Sequence, residues 1–225
     1  MKKLLILHLV TISVGSLNGL TQADEPTDKV EATATTSEKL VFDTEWKGER
    51  IALPPSFAPE MKLKGIEEIR FAPGMFDHNS DSFFTYAFVF SVSKDQELTK
   101  EVIHRETLAY YRGLAQSILK SKGKEVDASK FTFKLEQAKE ATETPKNVAA
   151  TKVIQYSGKL DWVEPFATAK PQVLHFEIQS WADPKTAKNY LFVCTSPKEA
   201  METSAIWTEL RKIRHGFEVV SDSGK

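Results

Sequence analysis

The 225 residues leave about 200 once a predicted signal segment is removed, enough for one domain with a full hydrophobic core. The single cysteine, Cys194, excludes a disulfide within the chain, and no cysteine follows the N-terminal apolar run to carry a lipid anchor. Taking Lys2 and Lys3 from the 30 basic residues leaves 28 against 31 acidic ones, spread without long like-charge blocks. That balance speaks against a nucleic-acid partner, which normally requires a basic patch or stripe, and does not suggest electrostatic membrane binding.

Residues 1–23 have the layout of a secretory signal peptide: Lys2 and Lys3, an apolar run from Leu4 to Gly15, and a small polar segment ending at Ala23. The run is too short for the ~20 residues of a bilayer-spanning helix, so the layout predicts an exported, periplasmic or extracellular protein without stable membrane insertion. From Asp24 to Lys39 the composition is polar, with too little apolar surface to offset the entropy of ordering, and predicts a flexible leader. A single domain is expected over residues 40–220, and residues 221–225 form a polar tail.

The first core-grade residues are Leu40, Val41, Phe42 and Trp46. Ile51 and Leu53 then lead into Pro54-Pro55, which removes two amide donors and ends a strand. Ile66, Ile69 and Phe71 predict a short strand stopped by the Pro73-Gly74 turn. Phe83–Val92 is dense in aromatic and β-branched residues, and its more apolar face, Phe84, Tyr86, Phe88, Phe90 and Val92, is assigned to the core.

The period then changes to helical. Thr99 is placed as an N-cap, Ile103, Thr107, Tyr111, Leu114 and Ile118 as the buried stripe, and Gly123 as the stop. Phe131, Phe133 and Leu135 alternate as in a half-buried strand. A polar loop is expected from Glu136 to Lys146, and strands at Val148–Tyr156, Val173–Trp181 and Asn189–Thr195, the last two joined by a turn beginning at Asp183-Pro184. Ser196, Pro197 and Glu199 read as a capping box opening a closing helix with the stripe Ile206, Leu210, Ile213 and Phe217, ended by Gly216. The isolated glycines are read as a helix packing position, Gly113, and a bend, Gly158. The fold class expected is therefore α+β: an antiparallel sheet flanked by two amphipathic helices.

In this order of elements, and in the closing pattern Trp207, Leu210, Ile213 and Phe217, the chain resembles the PsbP/Mog1-like α+β proteins from about Val41 to Val219. The stretch Leu53-Pro54-Pro55-Ser56-Phe57-Ala58-Pro59, followed by Ile69-Arg70-Phe71-Ala72-Pro73-Gly74-Met75-Phe76, looks like the start of uncharacterised secreted bacterial proteins. The first resemblance implies a non-catalytic accessory or binding module, and it brings no functional residue with it.

No G-x-S-x-G elbow, glycine-rich phosphate loop, H-E-x-x-H or D-x-D-x-D pattern occurs, and no cofactor is expected. Three groups are candidates for chemistry. Cys194 with His175 offers a thiol beside a base, set against a small buried hydrophobe. His175 and Glu177 share a strand face and offer two metal ligands, and Asp77, His78 and Asp81 form a third polar group. The segment from Asp161 to Pro171 places Trp162 and Phe166 beside prolines and charges. It is read as a binding loop in which Asp161, Trp162, Phe166 and Lys170 meet a protein or polymer partner in the cell envelope or outside it, set against a lid over the core. The leading expectation is a non-enzymatic binding module. The alternatives are an extracytoplasmic hydrolase or metal-dependent enzyme using His175 and Glu177, and a carrier of a small apolar ligand.

Overall fold

The structure is a computed structural model that describes residues 38–139, 144–146, 148–150 and 152–221. All of them fall in one unit. The predicted signal segment, most of the leader, residues 140–143, 147 and 151 of the loop after Gln137 and the last four residues of the tail lie outside the described residues.

Prolines and turns set the strand ends where the sequence placed them. β1 (Glu38–Val41) and β2 (Lys47–Leu53) come first, the latter ending at Pro54, and β3 (Gly65–Phe71) ends before Pro73-Gly74. β4 (Tyr86–Ser93) follows, then α1 (Lys100–Ser121), β5 (Thr132–Gln137), β6 (Val153–Val163), β7 (Pro171–Asp183), β8 (Lys188–Ser196), α2 (Ala205–His215) and β9 (Glu218–Ser221). Seven strands make one antiparallel sheet in the order β2-β3-β4-β8-β7-β6-β5, and β1 pairs with β9 in a separate ribbon. The protein is thus α+β with a mostly antiparallel sheet. Among the described residues no helix is long and apolar enough to cross a membrane.

β4 is flanked by β3 and β8, and both of its faces are buried. Tyr86, Phe88, Phe90 and Val92 enter one core with α1, while Ala87 and Val89 enter a second with α2 and the ribbon. The expectation of one core face and one lesser face is corrected: the two cores lie on opposite faces of the same sheet. Phe84 belongs to the first core as predicted, although the strand begins two residues later.

α1 carries the predicted signals. Thr99 Oγ1 accepts a hydrogen bond from the Val102 amide at 3.3 Å, and Gly123 follows the helix at φ 68°, a left-handed conformation open to glycine without penalty. Ile103, Thr107, Tyr111, Leu114 and Ile118 are all buried. Gly113 lets the helix approach Phe57 closely, since a Cβ there would stand 2.3 Å from the Phe57 carbonyl oxygen. Gly158 is no bend: it lies within β6, and the ring of Phe133 and the Cβ of Phe176 close over it.

The closing helix starts later than its capping box implied. Ser196 ends β8, fully buried, its hydroxyl 2.9 Å from that of Thr85, so it serves the β4–β8 junction instead of a helix terminus. Residues 197–204 are irregular and are tied back by the Trp207 indole, which donates to the Lys198 carbonyl at 2.7 Å. The buried stripe is Trp207, Leu210, Ile213 and Arg214, followed by Phe217, while Ile206 is only half-buried.

Among the described residues β1 takes in Glu38 and Lys39, the last two positions of the predicted leader, and Ser221 still belongs to β9. The ribbon is held by the buried Glu38 carboxylate, which accepts hydrogen bonds from Lys188 Nζ and Tyr190 Oη, both at 2.6 Å, and from Ser91 Oγ. Burial pushes this carboxyl up, but the three donors outweigh that effect and hold it below the ordinary glutamate value.

Candidate functional site

β6 runs on to Val163, so Asp161 and Trp162 are strand residues with side chains on opposite faces. Trp162 points into the first core. It is 3% exposed, with Phe84 at 5.1 Å and Tyr111 at 5.2 Å between ring centroids, and its indole donates to Gln172 Oε1 at 3.2 Å. The expected exposed platform of Trp162 and Phe166 is therefore corrected, because one of its two rings is core. Asp161 is exposed on the other face and accepts from Thr132 Oγ1 at 3.2 Å.

The turn itself, residues 164–170, is organised around a buried carboxylate. Glu164 accepts hydrogen bonds from the amides of Phe166, Ala167 and Thr168 and from Thr168 Oγ1, and Lys122 Nζ donates to the carbonyls of Pro165 and Phe166. These bonds answer the backbone groups of a loop that carries a half-buried Phe166 at its tip. Phe166 packs on Phe84 at 5.6 Å and on Phe76 at 5.5 Å. Lys170 lies exposed at the far end of the turn.

Phe76, which the sequence reading did not single out, is 50% exposed and stands at the outer end of an aromatic series that runs through Phe166 and Phe84 to Trp162. No signal in the string marks it, since a phenylalanine after Pro-Gly is as compatible with a core turn as with a surface one. The segment between β3 and β4 and the segment before α2 meet at the same end of the sheet, where Lys198 pairs with Asp81 at 2.7 Å. Met201, 55% exposed, lies in the second of these segments. One end of the sheet thus presents a rigid turn and two large exposed apolar side chains.

The residues proposed for chemistry are engaged otherwise. His175 and Glu177 do share a face, as predicted, but Glu177 is buried and accepts from Arg211 Nη2 at 2.6 Å and Arg214 Nη1 at 2.8 Å. Burial pushes the Glu177 carboxyl up, yet the hydrogen bonds and charges of the two arginines prevail and hold it low. A carboxylate neutralised in this way is a poor metal ligand, which corrects its pairing with His175. Asp77 closes its own turn by accepting from the Asn79 amide at 3.0 Å, and no group of three His, Cys, Asp or Glu residues among the described residues is arranged to hold a metal ion.

Cys194 lies opposite Glu177 in the β7–β8 register, fully buried in the second core, its Sγ 3.5 Å from the Leu210 carbonyl oxygen. Burial pushes the thiol up to about 12, so thiolate is scarce at neutral pH and the nucleophile reading loses its reactive species. A maleimide should label Cys194 only after denaturation. Labelling within minutes under native conditions would show the thiol to be reachable.

Burial lowers the pKa of His175, which is half-buried beside Lys159. A surface depression of about 450 Å³ is lined by Glu125, Asp127, Lys130, Phe131 and Trp162, beside the segment after α1. No protein-family model, curated protein or solved structure matches the chain.

Proposed function

We propose that the protein is an exported, non-enzymatic binding or accessory module that meets a protein or polymer partner through the loop end of its sheet, with the exposed sheet face beside Asp161 as a continuation of that surface. The carrying observation is the half-exposed Phe76 seated on Phe166 in a turn already rigidified by Glu164. An aromatic held in place before binding loses little conformational entropy on contact, and such anchors dominate interface energies. Phe166 supports the contact from below, and Asp161 and Lys170 set its polar rim. Trp162 is assigned a supporting place beneath it.

Export rests on the signal layout of residues 1–23. The PsbP/Mog1-like resemblance, with its sheet sealed by two amphipathic helices, supports an accessory role, and the engagement of Glu177 and Cys194 in packing supports the absence of a reaction centre at those residues.

Phe76→Ser is expected to reduce retention of an envelope or secreted partner on the immobilised protein at least about tenfold, in line with loss of an aromatic anchor, with a thermal midpoint within about 2 °C of the wild type. Equal retention by the two proteins would remove the loop end from the interface.

A further inference from the structure

Among the described residues, the second face of the sheet is covered only in part. The ribbon and α2 lie over β4, β8 and part of β7, whereas Thr132, Lys134 and Glu136 of β5 and Ser157, Lys159 and Asp161 of β6 are exposed on that face. Register places Lys134 opposite Lys159 and Lys159 opposite His175. Three nitrogen bases therefore stand in one row across three adjacent strands, a span of roughly 10 Å at the ~4.8 Å strand spacing.

Like charges placed directly opposite each other destabilise a strand pair. Among the described residues neither Lys134 nor Lys159 has a carboxylate within ion-pair distance. Asp161 is hydrogen-bonded by Thr132, and Glu177 is held by its two arginines. A lysine on an edge strand such as β5 has a reason of its own, since it deters pairing with another chain. That reason does not extend to Lys159, which sits on an interior strand.

We propose that this row binds a pair of adjacent carboxylates on an acidic peptide segment of a partner protein, with Lys134 and Lys159 taking one carboxylate each and His175 flanking them as a hydrogen-bond donor. Charge complementarity decides the chemistry, and the neighbours narrow it. Asp161 lies diagonally on one side of the row and Glu136 on the other, and Glu199, from the segment before α2, also acts on His175. A polymer charged at every unit, such as a nucleic acid or a sulfated polysaccharide, meets repulsion at both sides. Two carboxylates set among uncharged residues do not. The inference rests on the open face belonging to the binding surface, and it names the partner chemistry that this face takes.

The test is an NMR titration of the isotope-labelled protein at low salt with a capped Ser-Gly-Glu-Glu-Gly-Ser peptide, run in parallel with a sulfated oligosaccharide. Saturable shifts centred on Lys134, Lys159 and His175 are expected, with affinity about tenfold weaker in the double variant Lys134→Gln/Lys159→Gln at a thermal midpoint equal to or above that of the wild type, as for the loss of two exposed charge contacts and the relief of an opposed like-charge pair. Absent or diffuse shifts, equal affinity in the double variant, or stronger binding of the oligosaccharide would each overturn the proposal. Phe76→Ser should leave this titration unaltered, so failure of the row and failure of the loop end are separate results.

Discussion

Trp162→Ala is expected to lower the unfolding free energy by about 4 kcal/mol, roughly 8–16 °C in Tm for a domain of this size. The indole is 3% exposed and wedged among Phe84, Tyr111 and Phe131, with its N–H bonded to Gln172. Truncation removes the transfer energy of a large aromatic and leaves a cavity that the surrounding rings, those of Tyr111 and Phe131 packed edge-on and that of Phe84 tilted, cannot collapse to fill. Urea unfolding checks the size of the effect. Phe76→Ser, on the solvent side of the same aromatic series, should move the midpoint little. A Trp162→Ala variant as stable as the wild type but unable to hold a partner would restore the exposed platform in place of the buried anchor.

Glu67→Gln should change the pH dependence of stability more than any other single substitution of a carboxylate among the described residues. Glu67 lies on β3, fully buried, opposite Phe90 of β4, and receives one hydrogen bond, from Tyr110 Oη at 3.0 Å, while its Oε2 has no partner. Burial pushes its pKa from 4.5 to about 8; Glu49 pushes in the same direction, and the Tyr110 bond opposes both. The folded chain therefore keeps a proton that the unfolded chain releases. The stabilising contribution is complete below about pH 4.5 and is lost as pH rises toward 8. Over that window the linkage amounts to roughly 5 kcal/mol. Glutamine keeps the shape and cannot ionise, so the variant should gain on the wild type progressively from pH 5 to pH 9. Urea midpoints at pH 5, 7 and 9 measure the difference, and parallel profiles for the two proteins would show that Glu67 does not titrate in this way.

Much of the architecture was legible locally. Pro54-Pro55 and Pro73-Gly74 ended β2 and β3 because a missing amide or a turn-forming pair acts within a few residues. Thr99 and Gly123 bounded α1 for the same reason, and the Asp183-Pro184 turn joined β7 to β8. The candidate site was less legible. Asp161, Trp162, Phe166 and Lys170 were read as one loop, and the loop begins only at Glu164, since alternation through Leu160 and Trp162 continues β6 into the core. His175 and Glu177 were correctly placed on one face, but nothing near them in the chain announces Arg211 and Arg214, more than thirty positions later, as the partners that engage Glu177.

Residue types and their spacing alone determined the α+β class, the stripe of α1 and most strand segments, because periodicity and backbone stereochemistry are properties of short windows. Tertiary structure alone decided that β4 is buried on both faces, that Ser196 bonds Thr85 instead of capping a helix, that β1 pairs with β9, that Trp162 is core while Phe76 is surface, and that Lys134, Lys159 and His175 share a row. Each of these depends on which strand lies beside which, and that order is set by contacts between residues tens to more than a hundred positions apart, whose pairing no local pattern records.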